Sequence, residues 1–419
     1  MTKGPAPTQV LQMYIPVFLI FCIMCTCFSG GCIHHENTET NATIRIGILL
    51  PLSGEFSARG YECLNGSLLA IDEINKNGGI QSKGGRLLEY YIADSKGNAT
   101  IGAQKTKELI HDAQVRVIIG AYQSTVAIAA TQVAEQYKTP FIVNTGVSDI
   151  IIERGFAYTF RIIPSVDDYA YTKVQFLKAL NRIFQTPIQR VALIYENSAF
   201  GTGAALSEHT FLKKEGFTII SETSYVPSNV SSFLHTIRMV ADEKPDAIFT
   251  TTYLKDGVFI VQELRDAGYT GPVIDSGGGT ISQSFIDSLH DKAEGMYSIS
   301  ELVYSLPAVR ELNSRYYNRF GVNLSGASAY TYQAVLVLED ALNRSVTLER
   351  KDIRNALSTT NITTYSENLL PDDMIAFGPN GQNDFSRLTI MQVRNGTWKT
   401  VWPEHYADSD VTGLFTRRS

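Results

Sequence analysis

Beyond its N-terminal region this chain has few cysteines and no long hydrophobic run. Four of the five cysteines lie in or beside the first apolar segment, and Cys63 is the one thiol that follows them. A single thiol cannot form a disulfide framework or a zinc site. The later apolar runs are far shorter than the roughly 20 residues that a membrane span needs. These absences exclude a disulfide-stapled scaffold and disfavour a receptor with a C-terminal membrane domain.

Dense positive charge and known catalytic motifs are also missing. The 419 residues include 36 Lys and Arg against 42 Asp and Glu, a formal charge of −6, without a basic stripe for nucleic acid. There is no G-x-S-x-G turn and no G-x-G-x-x-G after the first strand, and Gly277-Gly278-Gly279 lacks the Lys-Ser/Thr of a P-loop. The seven histidines have no metal-ligand spacing. We therefore predict a protein that is not an enzyme and needs no cofactor, metal or nucleic acid.

One long apolar segment is present, at residues 10–28, after Lys3. A charged start, an apolar run and a small-residue exit are typical of a secretory signal. The Ser29-Gly30-Gly31 that precedes Cys32 favours a lipoprotein signal with Cys32 as the lipidated residue, although Ser29 stands where such signals prefer an aliphatic side chain. An uncleaved membrane anchor is the alternative. Either way we expect an extracytoplasmic protein, tethered to the outer face of the membrane by a flexible segment at residues 33–43.

From residue 44 onward, short aliphatic runs alternate with stretches of helical spacing. Predicted strands lie at residues 44–50, 87–92, 115–119 and 141–143. The pattern then restarts, with strands at residues 191–195, 218–223, 247–251 and 272–274. Helical spacing returns after residue 296, and Asn395-Gly396 predicts the turn of a final β-hairpin. This order is typical of two doubly wound, mainly parallel α/β lobes, here joined near residues 160–166.

Such sheets bind ligands beyond the carboxyl ends of their strands, where helix N-termini expose free N–H groups. Two sheets that face each other form a cleft that can close around a small molecule by hinge motion. The pattern of elements therefore predicts capture of a small solute between two lobes.

Several fragments, in their order and spacing, resemble one known family. They are GILLPLSG at residues 47–54, LAIDEIN at 69–75, VIIG at 117–120, RVALIY at 190–195 and PDA at 245–247. Together they resemble the periplasmic binding proteins of the leucine/isoleucine/valine type over about residues 44–402. The resemblance implies a type I periplasmic-binding fold, whose three crossover segments we place near residues 163–166, 300–303 and 375–377.

The implied division of the chain follows from these crossings. It comprises a leader (1–32), a tether (33–43), lobe 1 (44–163 plus 302–375), lobe 2 (164–301 plus 376–402) and a tail (403–419). The resemblance also implies a function, the delivery of a captured solute to an ABC-type permease and its ATPase. A sensory ectodomain on the same fold is the alternative.

The resemblance, together with the departures from it, indicates candidate ligand-binding residues in both lobes. They are Arg59, Tyr122, Ser124, Thr145, Gly146, Val147, Asp167, Phe200, Tyr253 and Gly277. Ser124 matches the position that meets a ligand carboxylate, and Phe200 and Tyr253 match aromatic positions that close over the ligand. Ordinary structural roles are the alternatives: a helix cap for Ser124, core packing for Phe200 and a solvated loop position for Arg59.

Two positions depart from the family pattern. Val147 stands where relatives use a Thr hydroxyl, and Gly277 stands where they carry the acidic residue for the ligand ammonium. A buried ammonium without a carboxylate partner is costly. Unless Asp167, Asp168 or Asp275 replaces that residue, we expect a carboxylate, an amide or another small polar solute rather than Leu, Ile or Val.

Overall fold

The protein is described by a computed structural model that covers residues 43–185, 187–363 and 374–412. The leader, Cys32 and the tether up to residue 42 lie outside the described residues, as does the end of the tail. Among the helices of the described ranges, none has the length and hydropathy needed to cross a membrane.

The first sheet consists of five parallel strands built from aliphatic runs. They are β1 (Ile44–Leu50), β2 (Leu88–Asp94), β3 (Val117–Gly120), β4 (Phe141–Val143) and β5 (Thr159–Arg161). Their spatial order is β2-β1-β3-β4-β5. Val117 and Ile119 of β3 pack into one apolar cluster and Ile118 into another, because alternate side chains point to opposite faces. The carboxyl ends of all five strands therefore meet at one edge.

Four helices connect these strands. They are α1 (Ser57–Lys76), α2 (Ala99–His111), α3 (Ser124–Gln136) and α4 (Ile150–Glu153). Asn98 caps α2, since its Oδ1 accepts a hydrogen bond from the Ile101 N–H at 3.1 Å. Cys63 is fully buried on α1, where it packs as a small apolar side chain.

The chain then enters the second sheet through a helix that the sequence analysis did not predict, α5 (Val166–Phe184). A capping box begins it, in which Ser165 and Asp168 satisfy each other's backbone N–H groups. The elements that follow are β6 (Arg190–Glu196), α6 (Ala199–Lys214), β7 (Thr218–Tyr225), α7 (Leu234–Asp242), β8 (Ala247–Thr251), α8 (Leu254–Asp266), β9 (Val273–Asp275), α9 (Gln283–Leu289) and β10 (Tyr297–Ser300).

After β10 the chain returns to the first sheet. The returning elements are α10 (Pro307–Phe320), α11 (Gly326–Arg344), α12 (Arg350–Leu357), β11 (Asn361–Ile362) and β12 (Ile375–Ala376). Helix α11 packs along α1. At the crossing, Gly66 lies so close to the Ser328 carbonyl that a Cβ at residue 66 would overlap it. The two helices can therefore approach only because residue 66 has no side chain.

The last strands complete the second sheet. β13 (Thr389–Arg394) and β14 (Thr397–Trp402) form an antiparallel hairpin, and β13 pairs antiparallel with β10. Asn395 and Gly396 turn the chain with φ of 51° and 70°, as an Asn-Gly hairpin turn requires. The predicted hairpin is confirmed. The sheet order is β14-β13-β10-β9-β8-β6-β7, with the remaining pairs parallel.

Two mainly parallel α/β sheets linked by three chain crossings confirm the predicted fold class. We call the first sheet with α1–α4 and α10–α12 lobe 1, and the second sheet with α5–α9 lobe 2. The first crossing follows β5, the second follows β10, and the third lies between β12 and β13. The residue boundaries given above for each lobe stay a prediction.

Candidate ligand-binding cleft

A cavity lies between the two lobes, beyond the carboxyl ends of their parallel strands. The space between atoms in this cavity is about 710 Å³ with open solvent included. Eight of the ten predicted site residues line it: Arg59, Tyr122, Ser124, Thr145, Val147, Phe200, Tyr253 and Gly277. The structure therefore brings together positions that are more than 200 residues apart in the chain.

Gly146 and Asp167 are the two predicted residues that do not line the cavity. Gly146 faces the interior of lobe 1, where an added Cβ would lie 3.0 Å from both Ala127 and Ile151. Asp167 is exposed in the first turn of α5. Asp168 is occupied by the capping box of that helix and also stands outside the lining.

Arg59 connects the lobes. Its Nη1 donates to Glu62 Oε2 at 2.7 Å within α1, and its Nη2 donates to the Gly279 carbonyl of lobe 2 at 2.6 Å. Burial by itself lowers the pKa of Arg59, but the Glu62 carboxylate, together with Tyr122 and Tyr304, holds the pKa above its ordinary value. The side chain is thus a permanently charged cavity residue rather than a solvated loop residue.

Ser124 is the first residue of α3 and not its cap, because the N-cap position belongs to Gln123. The Ser124 hydroxyl oxygen accepts a hydrogen bond from the Ser148 N–H at 3.2 Å. Its own O–H can donate toward the cavity, beside the free N–H groups of the helix N-terminus. Thr145 donates to the Ala121 and Tyr122 carbonyls at 3.2 and 3.4 Å, which ties the two strand-end loops together.

Four aromatic rings meet across the mouth of the cavity. Phe56 and Tyr122 come from lobe 1, and Phe200 and Tyr253 from lobe 2. The ring centroids lie 4.7 Å apart for Phe56 and Tyr253, 6.4 Å for Tyr122 and Tyr253, and 5.6 Å for Phe200 and Tyr253. These separations are those of favourable aromatic pairs. The rings therefore hold the lobes together around the cavity.

A glycine loop at residues 276–279 forms the wall on the lobe 2 side. Gly277 has a φ of +77°, and a Cβ at residue 278 would overlap the Thr252 carbonyl oxygen. The fully buried Asp275 carboxylate supports the loop by accepting hydrogen bonds from Thr250, Thr252, Thr280 and the Gly277 N–H, at 2.7 to 2.9 Å. All of these bonds are internal, so Asp275 does not replace the missing acidic ligand residue.

Glu301 is a cavity carboxylate that the sequence analysis missed. It lies in the crossing after β10 and lines the cavity together with Tyr169 and Tyr304. Its Oε1 accepts a hydrogen bond from the Tyr169 hydroxyl at 2.6 Å. Burial raises the pKa of the Glu301 carboxyl, although the hydrogen bond from Tyr169 acts in the opposite direction. Among the described residues, no group of His, Cys, Asp and Glu side chains could hold a metal ion.

The family model for periplasmic binding proteins matches residues 43–397 of this chain. The chain belongs to the periplasmic binding protein family. A relative of this binding protein, Leu/Ile/Val-binding protein homolog 7 from Brucella abortus, is 29% identical over 384 residues. That alignment covers 88% of this chain and 94% of the relative.

Solved structures share the fold of this binding protein. The branched-chain amino acid transporter substrate binding protein LivJ from Streptococcus pneumoniae, in complex with isoleucine, has a TM-score of 0.74 at 21% identity, over 86% of this chain and 100% of LivJ. A solute binding protein of an ABC transporter from R. palustris, in complex with benzoate, has a TM-score of 0.73 at 16% identity, over 86% and 95% of the two chains.

This membership confirms the family predicted from the sequence. Members of the family are extracytoplasmic solute-binding proteins rather than enzymes. The chain is therefore a solute-binding protein that does not transform its solute, and the cleft between the lobes is the candidate site for that solute.

Proposed function

We propose that this protein captures a small carboxylate-bearing solute, an amino acid or a related polar compound, and delivers it to an ABC-type importer. The observation that supports this most directly is the hydrogen bond from Arg59 in lobe 1 to the Gly279 carbonyl in lobe 2, beside the cavity. Isoleucine and benzoate, held by LivJ and the R. palustris protein, both carry a carboxylate.

The proposed binding mode uses the positive side of the cavity for the carboxylate. Arg59, the Ser124 hydroxyl and the N-terminus of α3 supply charge-assisted hydrogen bonds there. Val147, Phe200 and Tyr253 enclose the apolar part of the ligand, and Tyr122, Thr145 and Gly277 complete the contacts. Gly146 supports this site from behind, and Asp167 stands outside it.

The proposal extends to the place of action and the partners. The apolar leader holds the protein at the outer face of the membrane, either through a lipid on Cys32 or as an uncleaved anchor. A permease and an ATPase receive the solute when the lobes, hinged at the three crossings, open again.

Calorimetry on the full chain in mild detergent, against amino acids and organic acids, tests solute capture. We expect heat of binding for one chemical class, together with slower hydrogen exchange in residues 276–280 because closure covers that loop. No heat of binding and unchanged hydrogen exchange for every compound would contradict capture.

Delivery is tested by measuring uptake of the bound solute in cells that lack the gene and in cells that carry it. Equal uptake in the two would favour the sensory ectodomain.

A further inference from the structure

Two charged side chains of opposite sign line the cavity, but they do not form an ion pair with each other. Arg59 and Glu301 are the charged side chains in its lining. Arg59 forms an ion pair with Glu62 on its own helix, with 2.7 Å between Nη1 and Oε2. In the described part of the chain, no Lys, Arg or His forms an ion pair with Glu301. Glu301 therefore has no directly paired cation among the described residues, although the Arg59 charge, acting at longer range, lowers the pKa of its carboxyl.

The protein fixes this carboxylate in place. Tyr169 from α5 orients Oε1 through a hydrogen bond of 2.6 Å. The N-terminus of α11 abuts Oε2, since a Cβ at residue 326 would lie 2.5 Å from that atom and Gly326 itself lines the cavity. Glu301 thus sits where both lobes and a crossing meet, and glycine at residue 326 leaves room for it.

A partly buried carboxylate without a directly paired cation is unfavourable, and a ligand that brings positive charge reduces that cost. A plain carboxylic acid would add a second negative charge beside it, whereas a protonated amine would form a charge-assisted hydrogen bond. Burial raises the pKa of the Glu301 carboxyl, while the hydrogen bond from Tyr169 and the Arg59 charge act in the opposite direction.

We propose that Glu301 is the specificity-determining residue of the cleft: it selects solutes that carry a protonated amine over matched carboxylates that lack one. The inference rests on the proposed solute capture and names the chemical group that the captured solute must have. The carboxylate that binds the cation then lies on the crossing after β10. It does not lie in the loop at residues 276–279, where Gly277 has no carboxylate.

Calorimetry with matched pairs tests the inference: alanine with propionate, valine with isovalerate and leucine with isocaproate. For the full chain we expect at least one amino acid to bind about tenfold or more tightly than its deaminated partner. In Glu301→Gln we expect that preference to collapse, because the amino acid loses affinity while the deaminated acid does not. Tyr169→Phe keeps the carboxylate and should keep most of the preference.

Three outcomes would overturn the inference. If the unmodified protein binds the deaminated acids as tightly as the amino acids, or more tightly, the proposed role of Glu301 is wrong. The proposed solute capture is then unaffected. An unchanged amine preference in a folded Glu301→Gln protein, verified by circular dichroism, assigns the preference to another group. No binding of any compound in this set or in the wider panel removes both the inference and the proposed function.

Discussion

Arg59 and Glu62 occupy one turn of α1, and Arg59 uses its remaining N–H groups to reach across the cleft. The guanidinium is suited to this because its planar fork can serve an internal carboxylate, a carbonyl of the other lobe and a ligand at once. The same side chain therefore takes part in lobe closure and in ligand binding.

We expect Arg59→Ala to weaken binding of the preferred solute by about 10- to 100-fold, because a charged hydrogen-bond donor is lost from the cavity. Calorimetry on both proteins measures the change. Arg45→Ala is the control, since Arg45 lies on β1 in a half-exposed ion pair with Glu89, away from the cavity. Equal affinities for Arg59→Ala and the unmodified protein would exclude a role in binding.

Asp256 makes stability depend on pH. It is buried in the first turn of α8, and burial raises its pKa from 3.8 to about 7, helped by Glu55 and Glu196 and opposed by the hydrogen bond from Tyr225. Between those two values the folded state holds a proton that the unfolded state has lost, so stability falls as pH rises and levels off above pH 7.

We expect the free energy of unfolding of the unmodified protein to fall between about pH 5 and pH 8 by about 1 to 2 kcal/mol more than that of Asp256→Asn, after allowance for solvent screening. Urea unfolding at both pH values measures this difference. Parallel pH dependences for the two proteins would show that Asp256 does not titrate in this range.

The site could be predicted from the sequence only where it borders strand ends. Ser124, Phe200 and Tyr253 each follow a recognisable strand, so the position in the chain indicates the position in the cleft. Glu301 and Tyr169 meet across 132 positions, from the crossing after β10 and from the start of α5, and neither place carries such a signal. Only folding brings them together, which is why the sequence indicated Asp167, Asp168 or Asp275 as the cleft carboxylate and not Glu301.

Helices α1 and α11 lie in direct contact at Gly66. Placing a side chain there forces the helices apart, because the Ser328 carbonyl already fills the space. The contact joins the first helix of lobe 1 to a helix that returns after lobe 2, so it stabilises the lobe as a whole.

We expect Gly66→Ala to reduce the free energy of unfolding by about 1 to 3 kcal/mol. Gly203→Ala is the matched control, since a Cβ there meets Val166 and Ser148 at 3.7 and 3.8 Å, which are ordinary contacts. The control should gain about 0.5 to 1 kcal/mol from the better helix former. Urea denaturation of the unmodified protein, Gly66→Ala and Gly203→Ala measures these changes in the free energy of unfolding. Equal stabilities of the two variants would refute the steric explanation.

Most elements could be predicted from their apolar patterns, and the exceptions have identifiable causes. The strand over residues 44–50 and the Asn395-Gly396 hairpin carry strong local signals. Helix α5 begins within residues 160–166, where the pattern predicts only the join between the lobes, although Ser165 and Asp168 form a capping-box pattern and Val166, Ala170 and Val174 have helical spacing. β10 is short, and it forms a strand because β9 and β13 flank it.

Neither lobe is made from one continuous segment, because the chain crosses between them three times. Helices α10–α12 of lobe 1 follow β6–β10 of lobe 2 in the chain, and β13 and β14 of lobe 2 follow α12. The lobes therefore fold as parts of one chain, and the crossings that permit hinge motion also make each lobe depend on distant sequence.

We expect a chain that ends after residue 386 to lose the fixed tertiary structure of lobe 2, because Ile390, Met391 and Val393 are buried in the native sheet. Near-ultraviolet circular dichroism and limited proteolysis measure this loss. A chain that ends after residue 412 keeps every described residue and is the control. Native-like protease resistance of the shorter chain would mean that the hairpin is dispensable.

The late arrival of β13 also affects biosynthesis. At 5 to 20 residues per second, a ribosome needs roughly 4 to 18 s to add the residues between β10 and β13. During that interval a nascent chain that began to fold would present the bare edge of β10, which invites pairing with other strands. A chaperone or channel that kept the chain extended until its final hairpin emerged would prevent such pairing.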